Sequence, residues 1–288
     1  MSFCILAIGD VVGSPGRDAV RRLVPALRKE RGIDFVVVNG ENAAGGAGIT
    51  PGIARSLLAA GADVITTGDH VWKHREIVQY INEERRLLRP ANYAPGAAGA
   101  GVVVVETAAG VPVAVINLIG RIFMGPADSP FVAVEHALAT VRSDTRLAIV
   151  DFHAEATSEK IAMGWMLDGR ATAVVGTHTH VQTADECIHP NGTAYITDIG
   201  MTGPHRSVIG RRIEPVVQHL VHQMRERFDV AREDVRLCGV LITADPQSGK
   251  ATAIERINLP LEGTQQGGEL GEDSDAGDSP ADGNDSVA

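Results

Sequence analysis

Eight polar residues of this 288-residue chain follow apolar runs in five clusters: Asp10; Glu41 and Asn42; Asp69 and His70; His153; and His178 and His180. Carboxylate, amide oxygen and imidazole form a borderline-hard donor set that suits Mn, Fe, Zn or Co better than metals that prefer thiolates. Eight groups exceed what one tetrahedral ion needs, whereas two metals sharing a bridging carboxylate would use seven. Each piece alone is weak, since a Gly-Asp after a strand is commonly a turn. The two histidines of VGTHTHVQT (175–183) could equally end a strand as polar residues. Convergence of five strand ends on one chemistry favours ligation over five unrelated caps.

The elements that must position these groups are visible as apolar runs ending in polar clusters: FCILAI then GD, FVVV then NGEN, DVITT then GDH, RLAIV then DFH, and TAVV then GTHTH. Such runs, apolar on both faces and separated by helical stretches, are the alternation of βαβ units. Open α/β sheets bind ligands at the carboxyl ends of their strands, where these groups stand. Helices are expected near 17–31, 51–60, 74–84, 131–142, 158–168 and 213–227, with Pro25 kinking or splitting the first and Thr50-Pro51 opening the second. GVVVVET with VPVAVINL, and VRLCGVLITAD with ATAIERINL, read as hairpins. The expectation is a mixed sheet, or two packed sheets with helices outside.

Composition narrows the classes further. A 44% hydrophobic content with 4% aromatics suits an aliphatic core. Three cysteines without paired spacing (Cys4, Cys187, Cys238) suggest neither a disulfide framework nor a thiolate zinc site. They fit a reducing cytoplasm, and no apolar run approaches the roughly 18 residues of a membrane span. Of the net charge of −10, residues 263–288 carry −7, which leaves −3 on residues 1–262. Residues 1–262 are read as one folded domain and 263–288 as an acidic disordered tail. Without a basic stripe, a long nucleic acid is not an expected partner. A homo-oligomer is compatible with the sequence.

Eight motifs, GDVVGSPGR (9–17), NGENAAGG (39–46), TTGDHVWK (66–73), RPANY (89–93), NLIGRIFM (117–124), DFHAEATSEK (151–160), GTHTHVQTAD (176–185) and TDIGMTGP (197–204), resemble the YmdB-like bacterial phosphodiesterases of the calcineurin-like metallophosphoesterase superfamily. The resemblance spans about residues 3–260. It implies a four-layer α/β/β/α sandwich of two mixed sheets and a dinuclear metal-dependent phosphodiesterase. One metal would sit on Asp10, Glu41, Asn42 and His180, and the second on Glu41, Asp69, His153 and His178. Iron or manganese is implied first, with Zn, Co or Mg as other candidates. Attack on phosphorus by a metal-bound hydroxide, with His70 as general acid, would open cyclic nucleotides, 2',3'-cyclic before 3',5'-cyclic. The alternatives are a phosphomonoesterase, such as a nucleotidase or protein phosphatase, and a metal-stabilised regulatory protein contacting RNA-processing machinery.

The family pattern has Asn where this chain has Asp69. A third carboxylate is expected to weaken affinity for anionic phosphates or to favour trivalent iron at one site. Arg121 is a candidate substrate contact, and Asn92 and Tyr93 are candidates for lining the same cleft. Thr157, Ser158 and Glu159 read as a capping arrangement with Ser158 as N-cap. Cys187 reads as a small buried hydrophobe, and His205 is a further candidate for the cleft. Neither glycine-rich motif matches GxGxxG or GxxxxGK[ST], which disfavours those modes of nucleotide binding.

Overall fold

The computed structural model describes residues 2–141 and 144–262, and the acidic tail lies outside them. In chain order the elements are β1 (Phe3–Ile8), β2 (Asp10–Val11), α1 (Gly13–Glu30), β3 (Phe35–Asn39), α2 (Pro51–Ala59), β4 (Val64–Thr66), α3 (Ile77–Glu83), β5 (Val102–Glu106), β6 (Pro112–Ile119), α4 (Pro130–Thr140), β7 (Leu147–His153), α5 (Thr157–Met166), β8 (Ala173–Thr177), β9 (Cys187–Ile188), β10 (Ala194–Ile196), β11 (Met201–Pro204), α6 (Ile213–His222), β12 (Val235–Ala244) and β13 (Ala251–Pro260). One sheet runs β2-β11-β12-β1-β3-β4, with β13 also paired to β12; the other runs β5-β6-β7-β8-β10-β9. Both are mixed: β1, β3 and β4 are parallel while β12 is antiparallel to β1. Likewise β6, β7 and β8 are parallel while β5 is antiparallel to β6.

The strand period of two divides these side chains between separate apolar layers. From β1 and β3, Ile5, Ala7, Phe35 and Val37 meet Val113, Val115, Leu147, Ile149, Ala173 and Val175 of the other sheet. The intervening Leu6, Ile8, Val36 and Val38 pack under Val20 and Val24 of α1, Leu57 of α2 and Ile77 of α3. On the far side Ile116, Val150, Phe152 and Val174 meet Val134 of α4 and Met163 of α5. Three apolar layers between four layers of structure make the expected α/β/β/α sandwich. Each fully buried Val or Ile contributes about 1.5–3 kcal/mol.

Both hairpins form as read. Thr50 Oγ1 accepts the Ile53 N–H as the α2 cap, with Pro51 opening the helix. Pro25 does not split α1, which runs on through it. Ser158 is not the N-cap of α5: the helix begins at Thr157, Ala156 holds the cap position, and no side chain caps it. Cys187 is exposed rather than buried. No helix among the described residues is long and apolar enough to cross a membrane.

Candidate metal centre

The parallel strands of each sheet point their carboxyl ends at one rim, where the sheets are stitched by buried polar contacts. Asp151 Oδ2 accepts from Asn39 Nδ2 (3.1 Å) and Thr66 Oγ1 (2.5 Å), and Asp151 Oδ1 from Thr177 Oγ1 (2.7 Å). Just beyond this layer Glu41, Asp69, His153 and His178 each offer a ligand atom, all within 4.8 Å of one another, and could hold a metal ion. Glu41 Oε2 and Asp69 Oδ1 lie 2.8 and 3.3 Å from His153 Nε2, and His178 Nδ1 lies 3.0 Å from the same nitrogen. Gly68 permits this proximity: a Cβ there would overlap the Glu41 carboxylate and the His153 ring.

Outer contacts orient the imidazoles. Thr177 gives its hydrogen to Asp151, so its oxygen accepts from His153 Nδ1 (3.0 Å) and Nε2 faces the carboxylates. His178 Nε2 faces Glu155 Oε2 (3.3 Å), which leaves Nδ1 toward the cluster. His180 Nδ1 faces the Ile209 carbonyl (3.0 Å) and its Nε2 faces Asn42 Oδ1 (3.2 Å). Asn42 Nδ2 meanwhile donates to Gly46 O (3.3 Å). Burial holds His180 below its ordinary pKa, so a lone pair and a carbonyl oxygen face each other with no hydrogen between. That opposition fits a shared cation. Asp10 Oδ2 accepts the His178 N–H (3.1 Å), while Asp10 Oδ1 is buried without a hydrogen-bond partner. A buried unpaired acceptor is costly, and ligation would satisfy it.

Burial pushes the Asp10 carboxyl up to about 8. Burial acts on Glu41 in the same direction, but His153 and His70 outweigh it and hold Glu41 well below the usual carboxylate range. Burial opposes a charged His153, yet Glu41, Asp69 and Asp10 raise it well above an ordinary histidine. Without metal, a proton on His153 thus supplies the positive charge that the carboxylates demand. Burial, with His153 adding repulsion, lowers His178 to about 4. His70 Nδ1 lies 2.8 Å from Glu41 Oε1, and its side chain is 35% exposed.

Several groups are not evident from the sequence. His178 and His180 both have positive φ (95° and 64°), a region that residues with a Cβ enter only when held there. The hold is Asp198 Oδ2, which accepts both the N–H (3.2 Å) and the hydroxyl (2.7 Å) of the intervening Thr179. Asp198 is paired in turn with buried Lys160 (2.8 Å). Glu159, read as part of a cap, is instead buried and accepts the backbone N–H groups of Arg121 (3.1 Å) and Ile122 (3.0 Å). Arg211 holds the glycine-rich loop of Asn42 through the carbonyls of Gly45 and Gly46. Asn92 ties Ile119 and Asp128 together, and Tyr93 is partly buried in the helix-side core. Arg121 is exposed on the loop that follows β6. His205 lies against Gly203 O and Cys238 Sγ, with no contact to the cluster among its hydrogen bonds.

A profile of the YmdB-like protein family matches residues 6–257. A 2',3'-cyclic-nucleotide 2'-phosphodiesterase of Bacillus subtilis (strain 168) is 51% identical over 253 residues, covering 88% of this chain and 96% of the relative. The crystal structure of a novel phosphatase from Mycoplasma pneumoniae superposes with a TM-score of 0.84 at 34% identity, covering 90% of this chain and 94% of that one. A hypothetical protein from Thermus thermophilus gives the same TM-score at 38% identity, covering 90% and 99% of the two chains.

Proposed function

The chain belongs to the YmdB-like protein family, and from that premise we propose that it is a metal-dependent phosphodiesterase that opens nucleoside 2',3'-cyclic phosphates at the 2' ester. The observation that carries this reading is the convergence of Glu41, Asp69, His153 and His178 on one point, with Glu41 and His153 buried, in a chain so similar to an enzyme named for that reaction. The second position falls to Asp10, Asn42 and His180, with Glu41 shared between the two. Oxygen and nitrogen donors favour iron or manganese. Bound there, two cations would lower the pKa of water and neutralise phosphoryl charge.

The chain's own residues supply orientation and a proton. Burial lowers the His70 pKa, but the Glu41 carboxylate outweighs it and raises the value in the metal-free protein. With Nδ1–H held by Glu41, protonated His70 presents Nε2–H outward to the departing ribose oxygen. Arg121 stands ready to meet substrate charge. The substrate is a small molecule, and the cytoplasm is the proposed compartment.

The test is hydrolysis of 2',3'-cyclic AMP by protein loaded with Mn²⁺ or anaerobic Fe²⁺, products being identified by chromatography, with Glu41→Gln in parallel. Adenosine 3'-monophosphate is expected, and Glu41→Gln should lose both turnover and metal. A loaded protein that leaves the diester intact but cleaves nucleoside monophosphates would instead be a phosphatase. Inactivity on both classes would leave a regulatory role.

Two expected outcomes concern charge. Ligation requires the Asp10 carboxylate, and below about pH 8 the metal-free protein holds a proton there. Metal loading therefore releases this proton at pH 7 and ceases to do so as pH rises through about 8. Calorimetry in two buffers of different ionisation enthalpy measures the difference, and a release independent of pH would refute the assignment. In the second case, Asp69→Asn removes one of three carboxylates around the metals and should lower KM for the anionic diester or shift preference away from trivalent iron. Unchanged KM and unchanged metal preference would sink that idea.

A further inference from the structure

The loop at 120–128, between β6 and α4, is fastened at both ends yet presents an aromatic side chain to solvent. At its base Gly120 N–H donates to the carbonyl of His153 (2.8 Å). Asn92 accepts from Ile119 N–H (2.9 Å), donates to the Ile119 and Asp128 carbonyls (2.8 Å each), and accepts the Asp128 N–H on its own carbonyl (2.9 Å). The buried Glu159 carboxylate takes the next two N–H groups, of Arg121 and Ile122. Beyond these ties Phe123 is 86% exposed, the most exposed large hydrophobic side chain among the described residues, and its φ of 63° is one that a bulky residue rarely adopts. Core packing does not require either feature. A compact, pinned loop holding an aromatic in a rare conformation is the kind of segment that carries binding.

Phe123 lies three positions beyond Gly120, so its Cα lies within about 11 Å of the Gly120 Cα, whose own N–H meets His153. That reach is comparable to the length of a nucleoside phosphate whose phosphorus sits at the strand ends. We propose that Phe123 is the platform on which the nucleobase of the substrate stacks, a role that rests on the phosphodiesterase reading. Every base has a π face, so stacking selects nucleosides over base-free sugars and discriminates little between bases. Arg121 on the same loop would sit on the phosphate side of the ring.

The experiment compares kcat/KM for 2',3'-cyclic AMP, 2',3'-cyclic CMP and methyl β-D-ribofuranoside 2',3'-cyclic phosphate in the loaded wild type, Phe123→Ala and Phe123→Trp. The selectivity for either nucleotide over the base-free phosphate should fall about tenfold in Phe123→Ala, or about 1.4 kcal/mol, and return in Phe123→Trp. The Phe123→Trp protein adds a readout independent of turnover: its emission should be quenched by adenosine 3'-monophosphate and not by ribose phosphate. Equal selectivity in wild type and Phe123→Ala, or quenching by both ligands alike, would overturn the proposal while leaving the phosphodiesterase reading intact. Wild-type inactivity on all three substrates would remove both.

Discussion

Replacing His70 with Ala should lower kcat on 2',3'-cyclic AMP by roughly a hundredfold to ten-thousandfold, the usual range for a lost general acid. Metal content should hardly change, because His70 touches Glu41 through one ring nitrogen and is not among the four residues that converge on one point. The distinguishing measurement is the leaving group. A p-nitrophenyl diester releases p-nitrophenolate, which departs without a proton, so His70→Ala should retain far more of its activity on that substrate than on the ribose ester. Equal losses on both esters, or loss of metal, would mean that His70 serves the centre as a support and not as an acid.

Lys160→Met carries the largest expected cost in stability. The ammonium and the Asp198 carboxylate are both almost fully buried, and removing one partner leaves the other charge without compensation. The expected loss is about 3–5 kcal/mol, which for a chain of this size lowers Tm by roughly 6–20 °C. Asp198 also holds Thr179, and through it the backbone that aims His178 and His180. Metal affinity should therefore fall about 10–100-fold, as when outer supports of other ligands are removed. Calorimetric melting of the metal-free variant isolates the first effect and metal titration the second. A melt within a degree of wild type would show that the pair does not secure this segment.

What was legible in the sequence divides along a physical line. Strands buried on both faces leave a strong local signature, and a polar cluster after such a strand marks a sheet rim, so the strands and the residues at their ends could be read from short windows, whereas the four-layer sandwich, as against one mixed sheet, rested on the family resemblance. Contacts between distant segments leave no such signature. Lys160 and Asp198 are 38 residues apart, and in its own stretch Lys160 looks like one more charged helical residue. Glu159 has the sequence context of a helix start, but its carboxylate is claimed by the Arg121 loop. Glu155 stands between a strand and a helix and gains meaning only from the ring of His178 across the rim. The split expected as one outcome at Pro25 does not occur: α1 runs on through it, with Ala19, Val20, Val24 and Leu27 buried along its length.

The pairing of β1 with β12 has a consequence for biosynthesis. Phe3 lies opposite Ala244, and Ile8 opposite Gly239. At about 5–20 residues per second, β1 leaves the ribosome on the order of ten to fifty seconds before its antiparallel neighbour exists. During that interval an apolar strand keeps one edge open, the template on which nascent chains join one another. Such long-range pairing also makes folding intrinsically slow. Recovery of native protein should therefore depend more on elongation rate and holdase chaperones than on the stability of the finished sandwich.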